Sequence, residues 1–308
     1  MSVKGQVKAA LKGVRRWLDE EDPKVLPKPA PEISFDNRYD WIGASIKKLA
    51  KDPLCAKRPR YVQYIWGVLQ GAALGKVLGY PRISVIEMGV AGGAGLLMME
   101  HLAEQVEEMV NIGIDIYGFD LGTGLPKLED YRDIPNFFYE CQYPMDQEQL
   151  SKRLRRAQMK LGPVNQTIPT FMQSSPAPVA FVSFDMGIYT ATKDALRLFE
   201  ASHQFLLPRV ACYFNSTIGF THSEYTGERL AISEFNVAHN LRKISPIYGL
   251  KYFMPLEWFT WPWPEKCYFT HLYDHPLYST PDSLRKQIVM DLDGNVVEAP
   301  VPPTAKSV

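Results

Sequence analysis

Residues 82–97, RISVIEMGVAGGAGLL, run from an apolar strand through a glycine turn into a helix. IYGFDLGTGLP at 116–126 follows as a second apolar strand that ends at Asp120. A strand, a glycine turn, a helix and a second strand tipped by a carboxylate is how an open α/β sheet builds a ligand crevice at the carboxyl ends of its strands. Val85 and Ile86 supply the first strand and Glu87 sits at its tip. Gly89, Gly92, Gly93 and Gly95 let the backbone approach a ligand closely. Asp120 is placed to accept hydrogen bonds from a ribose. The order points to a nucleotide-like small molecule, although a glycine loop after a strand can also be a plain turn.

Spacing narrows the ligand. A dinucleotide loop needs glycines at its first, third and sixth positions. Counting from Gly89 the third position is Ala91, and counting from Gly93 the sixth is Met98, so NAD is disfavoured. No G-x-x-x-x-G-K-[ST] string occurs, which removes the phosphate-loop NTPases. What remains is Glu-x-Gly-x-x-x-Gly-x-Gly, the looser pattern of S-adenosylmethionine binders, whose ligand has no pyrophosphate to cradle. The expected cofactor-binding residues are Glu87 as loop anchor, Gly89, Val90 and Gly93 along the loop, and Asp120.

Four segments, in order, resemble the macrocin O-methyltransferase family of class I S-adenosylmethionine-dependent enzymes, which methylate sugar hydroxyls on natural products. They are VIEMGVAGGAG (85–95), YGFDLGTGLP (117–126), VAFVSFDMGIYTATKDAL (179–196) and TGERLAISEF (226–235). The resemblance spans roughly residues 61–241. It implies a Rossmann-like α/β fold: a three-layer sandwich with a mostly parallel sheet and a closing antiparallel hairpin, formed by residues 248–254 and 266–272. It also implies O-methylation of a hydroxylated small molecule, a sugar or glycosylated metabolite.

Two positions depart from the family pattern. Members carry Asp-x-Asp after the fourth strand and Asp-Asp after the fifth, and these carboxylates hold a divalent metal and furnish a base. Here the first pair reads Asp185-Met186-Gly187 and the second aligns with Asn215-Ser216. A hard cation wants several oxygen ligands, preferably anionic, so no metal is expected. The catalytic candidates left are Asp185, which could also simply hold loop amides, and His222, which could also be a solvated loop histidine. The alternative to an enzyme is a non-catalytic relative that keeps the cofactor fold as a binding or assembly module.

Composition bounds the rest. Among 308 residues, Lys+Arg and Asp+Glu both number 34, and without a basic stripe a nucleic-acid partner is not expected. The hydrophobic fraction of 46% is that of a folded globule. No apolar run reaches the ~18–20 residues of a membrane span. Four scattered cysteines without a C-x-x-C argue against structural zinc and for a reducing, cytoplasmic setting.

Three regions are expected. Residues 1–60 hold a basic amphipathic helix (3–18), a Pro-rich linker (23–31) and an accessory helix stopped by Pro53. The basic helix suits docking on the domain or a partner subunit, contact with an anionic membrane, or a frayed tail. Residues 61–285 form the methyltransferase-like domain, and 286–308 a terminal hairpin around DLDGN with a disordered tail. Helices are expected at 61–78, 96–110, 147–161, 190–206 and 227–243. Strands are expected at 112–120, 166–172, 179–185 and 210–214 after the first. Gly67, Gly71 and Gly75 at four-residue spacing suit helix packing or contact with a second copy of the chain. The aromatic stretches 131–143 and 256–266 suit either substrate stacking or the sealing of a core edge.

Overall fold

The computed structural model describes residues 38–57, 61–254, 262–279, 287–290 and 296–299. The expected basic helix, the Pro-rich linker, Trp258, Trp261 and the DLDGN turn lie outside them.

Seven strands form one sheet: β1 (Arg82–Met88), β2 (Gly113–Asp120), β3 (Gln158–Leu161), β4 (Val179–Phe184), β5 (Leu206–Phe214), β6 (Arg242–Pro246) and β7 (Cys267–Leu272). Their order is β3-β2-β1-β4-β5-β7-β6. The first five pair in parallel, and β7 inserts antiparallel between β5 and β6. The direction of winding reverses between β1 and β4, which is where open α/β sheets open a crevice. This is the Rossmann-like fold of class I methyltransferases.

Six of seven residues in β1 and all six in β4 are buried, as central parallel strands covered on both faces must be. One face carries α3 (Val62–Val77) and α4 (Ala94–Val110), with α1 (Arg38–Ala50) packed on α3. Gly67, Gly71 and Gly75 let α3 sit against the sheet, since a Cβ at each would strike Phe181, Ala180 and Ile83. The four-residue spacing therefore serves packing within the domain. Pro53 opens the short α2 (Pro53–Lys57), which Asp52 caps by accepting from the Leu54 and Cys55 amides while also bonding His101 of α4 at 2.9 Å. The other face carries α6 (Val164–Gln173), α7 (Tyr189–Leu196) and α8 (Gly227–Ala238), after the short α5 (Gln147–Arg153). Phe171, Phe184, Phe199 and Phe214 fill the layer beneath them. No helix among the described residues is long and apolar enough to cross a membrane.

Several expectations about elements are corrected, among them two helix ends: the helix expected over 190–206 stops at Leu196 and that over 227–243 at Ala238. The helix expected over 147–161 stops at Arg153, because the buried Glu100 carboxylate accepts from the backbone amides of Arg155, Arg156 and Ala157 and turns the chain into β3. Residues 166–172 are not a strand but part of α6, whose Val164, Ile168 and Phe171 recur at helical spacing. The closing hairpin uses β6 and β7, not residues 248–254: Asn236 brackets Ile244 with both ends of its side-chain amide, and a 3-10 turn occupies Leu250–Phe253. A separate hairpin pairs β8 (Gln287–Met290) with β9 (Val296–Ala299), as expected on either side of DLDGN.

Candidate active site

The crevice forms where β2, β1 and β4 end. Gly89 donates its amide to Phe119 and Asp185 donates its own to Met88, so the three strands remain bonded as they turn outward. Gly89 adopts φ +87, a left-handed conformation, and a Cβ on it would lie 2.5 Å from the Asp185 carbonyl oxygen. Only glycine lets the β1 turn pass over the end of β4.

The next residues fold back onto β2. Asp120 accepts from the Val90 and Ala91 amides with Oδ2, at 2.8 and 2.9 Å, and from the Gly122 amide with Oδ1, at 2.6 Å. A cavity of about 280 Å³ opens beside them. It is lined by Gly89, Ala91, Asp120 and Asp185 at the strand ends, by Phe119, Leu125 and Val164, and by Met186 with Thr190, Ala191 and Asp194 of α7. Gln142 and Tyr143 bring the end of the aromatic stretch to the cavity. That stretch is stitched to the turn after β2 through Leu125 and the backbone of Cys141 and Gln142. Tyr131, Phe137, Tyr139 and Tyr143 leave more than half of their surface exposed there. Trp263, from the second aromatic stretch, is instead fully buried.

The residues expected to meet the cofactor thus divide. Gly89, Asp120 and Asp185 face the cavity, while Glu87, Val90, Gly93 and His222 are not among its lining residues. Glu87 is buried behind the loop and accepts from the Tyr64 hydroxyl at 2.5 Å, with Gly95 packed against it. Burial, with Asp185 and Asp120 nearby, pushes its carboxyl up to about 8. Val90 contributes its amide to Asp120, and its side chain is buried. Gly93 starts α4 at φ +79, covered by Leu150. His222 packs edge-on to Phe137 and Phe138 and against Gly219. Burial, with Arg229 and Lys266 nearby, lowers its pKa.

The most specific sequence segment works partly as scaffold. Thr190 donates its amide and its hydroxyl to the buried Asp133, which also accepts from Glu129 and so ties the aromatic stretch to α7. Tyr189 donates to Glu234 of α8 at 2.7 Å, joining the third segment to the fourth.

Asp185 also belongs to a group whose Tyr213, Glu228 and Lys266 sequence reasoning missed. The Asn215 amide nitrogen donates to Asp185 Oδ1 at 2.5 Å. Its Oδ1 accepts from the Tyr213 hydroxyl at 3.2 Å, and Lys266 Nζ stands 3.4 Å from the same oxygen while donating to the Asn215 backbone carbonyl. Glu228 of α8 is buried beside them and accepts from the Ser216 amide. Asp185 is exposed at the cavity, yet the protein packed around its carboxyl raises it, against the opposing pull of the Asn215 bond and the Lys266 charge. Burial pushes Glu228 up to about 8 and Lys266 down from its ordinary value. Position 187 is closed to a carboxylate: Gly187 has φ +74, and a Cβ there would run into the Phe138 ring. The donor set does not fit a divalent cation, because an amide N–H and an ammonium stand around its one cavity-facing carboxylate, Asp185.

No family model and no curated protein matches the chain. Among solved structures, it is similar to the calicheamicin methyltransferase CalS11, with 18% identity, a TM-score of 0.48, and 82% of this chain and 97% of that one covered. The apo structure of CalS11, described as a TDP-rhamnose 3'-O-methyltransferase, gives 18% identity and a TM-score of 0.40 over 82% and 99% of the two chains. The mycinamycin-pathway methyltransferase MycE, in complex with Mg, SAH and mycinamycin VI, gives 13% identity and a TM-score of 0.31 over 82% and 68%.

Proposed function

We propose that this chain binds S-adenosylmethionine in the crevice at β1, β2 and β4 and transfers its methyl group to a hydroxyl of a small molecule, a sugar or glycosylated metabolite. The observation that carries this reading is that the glycine bend and the Asp120 carboxylate line one cavity, joined by Asp120's own bonds to Val90 and Ala91. A carboxylate offers about four acceptor positions. Three are taken by backbone amides, which leaves one for a ribose hydroxyl. Phe119, Leu125, Met186 and Ala191 provide apolar surface for a flat base. Asp120, Glu129, Asp185 and Asp194 among the lining residues suit a ligand with hydroxyls and a positive charge.

When bound, the cofactor supplies an electrophilic methyl group on sulfur. The chain must then orient the acceptor and take its proton. Asp185 is the carboxylate placed for this, and its raised pKa brings it toward the range of a useful base. General-base help of this kind is worth about 10²–10⁴-fold in rate. His222 stands outside the cavity and is not assigned this task. The acceptor class follows from the resemblance of the four segments. The exposed Tyr131, Phe137 and Tyr139 offer rings on which a sugar can stack.

A second reading, a cofactor-binding module without catalysis, is favoured by Gly187 and Asn215-Ser216. Calorimetry with S-adenosylmethionine tests both: binding is expected, and no heat at near-millimolar ligand would refute either. Transfer of labelled methyl to a panel of glycosides then separates enzyme from module.

A further inference from the structure

We propose that Lys266 is this protein's built-in replacement for a divalent cation: its ammonium fixes Asn215, Asn215 holds Asp185, and the centre is thereby closed to metal. The inference deepens the proposed methyl transfer, and rests on it for the meaning of Asp185.

An asparagine amide can be turned either way, and its neighbours decide which. Asn215 Oδ1 faces the Lys266 ammonium and the Tyr213 hydroxyl. An ammonium has three donors and no acceptor, so the carbonyl end of the amide must point to it. The NH₂ end must then point to Asp185, where it donates at 2.5 Å. The lysine therefore acts on the carboxylate through an oriented amide, as a positioning residue.

The titratable groups around this relay come from several elements, and His222 in the loop after β5 also feels the Lys266 charge. Tyr64 lies on α3, Glu87 on β1, Asp185 after β4, Asn215 after β5, Glu228 on α8, and Lys266 immediately before β7. Lys266 interacts electrostatically with both Asp185 and Glu228. It is only 5% exposed, so its charge sits inside the protein beside Asp185 and Glu228. A metal ion held by Asp185 and residue 215 would meet the charge of an ammonium already bonded to Asn215.

The test is manganese binding, read by electron paramagnetic resonance on the full chain. Wild type is expected to hold no stoichiometric Mn²⁺. In the Asn215→Asp/Lys266→Ser double variant the ammonium is gone and Asp185, residue 215 and Glu228 become three oxygen donors, so affinity for Mn²⁺ should rise at least tenfold. Lys266→Met, which keeps the length and removes the charge, provides the second readout. Its S-adenosylmethionine affinity should fall, whereas Lys266→Arg should restore part of it. One Mn²⁺ per wild-type chain that disappears in Asp185→Asn would overturn the proposal, as would a folded double variant with wild-type Mn²⁺ affinity. Calorimetry with S-adenosylmethionine on the same wild-type sample keeps the outcomes apart. Absence of cofactor binding would sink the methyltransferase reading and leave the manganese result to judge the lysine.

Discussion

Replacing Gly89 by alanine should be costly, and the same change three residues on should not. At Gly89 two penalties combine. The residue holds φ +87, which costs an L-residue about 1–2 kcal/mol. Its new Cβ would also lie 2.5 Å from the Asp185 carbonyl, where ordinary contact begins near 3.4 Å. That carbonyl cannot retreat freely, because the Asp185 amide is bonded to Met88 at 2.8 Å. Overpacking of this kind typically costs about 1–3 kcal/mol. The sum, about 2–5 kcal/mol, is a large part of the ~5–15 kcal/mol that holds a domain together. Gly92 is exposed and is not among the positive-φ residues, and a Cβ added to it would meet nothing within 4 Å. Gly92→Ala should leave stability within about 0.5 kcal/mol or raise it by up to about 1 kcal/mol through the unfolded chain. Urea unfolding with an unchanged m-value measures both. Cofactor calorimetry should show loss of affinity in Gly89→Ala alone, since the ends of β1 and β4 must separate to admit the methyl group. Equal effects at the two positions, or a Gly89→Ala cost below about 0.5 kcal/mol, would refute the reasoning.

Other outcomes follow from the same geometry. Asp120→Asn places an NH₂ against at least one of the three backbone amides it served, so it should destabilise by about 1–3 kcal/mol and weaken S-adenosylmethionine binding; urea unfolding and calorimetry check the two parts. Asp185→Asn should lower methyl transfer by about 10²–10⁴-fold while shifting cofactor affinity much less, and intact turnover would remove Asp185 from catalysis. Glu87 gives a pH test. Its folded-state value of about 8 lies above the ordinary 4.5, so between these the native state keeps a proton that the unfolded chain has lost. Its contribution to stability therefore falls as pH rises from 4.5 to 8, by at most about 1.4 kcal/mol per pH unit. Glu87→Gln removes that slope, so the variant should gain on wild type from about pH 5 to about pH 8 in urea unfolding. A difference that does not change with pH would argue against a protonated Glu87.

The central strands were legible because burial on both faces leaves them almost wholly apolar: β1, β2 and β4 emerge from VIEM, IYGF and VAFVSF with ends shifted by a residue or so. β3 was not legible. It is an edge strand of four half-exposed or exposed residues, QMKL, and it exists because Glu100, far away in sequence, collects three backbone amides just before it. Pro208 shows a local rule overridden by context. It was expected to close off the helix over 190–206, yet that helix stops at Leu196, β5 begins at Leu206, and the pairing with β4 slips between Val179↔Leu206 and Phe181↔Ala211. The proline sits in that irregular stretch, where a missing N–H breaks no regular ladder.

The candidate site divides along the same line. Gly89, Asp120 and Asp185 could be found because each is fixed by its position at a strand end. Gly187 and Asn215 could be noticed as departures, but nothing near them in sequence says what took over the missing charge. The answer lies 51 residues beyond Asn215, where Lys266 ends a turn before an antiparallel strand. Beside the aromatic run of residues 256–263, Lys266 resembles any solvated lysine. Only the insertion of β7 between β5 and β6 brings its ammonium under the end of β5, against Asn215. Its identity as a buried cation is thus a property of the strand order. A chain with the same local sequence but a sheet that ended at β5 would have no cation in this place, and Asp185, Glu87 and Glu228 would then face one another without one.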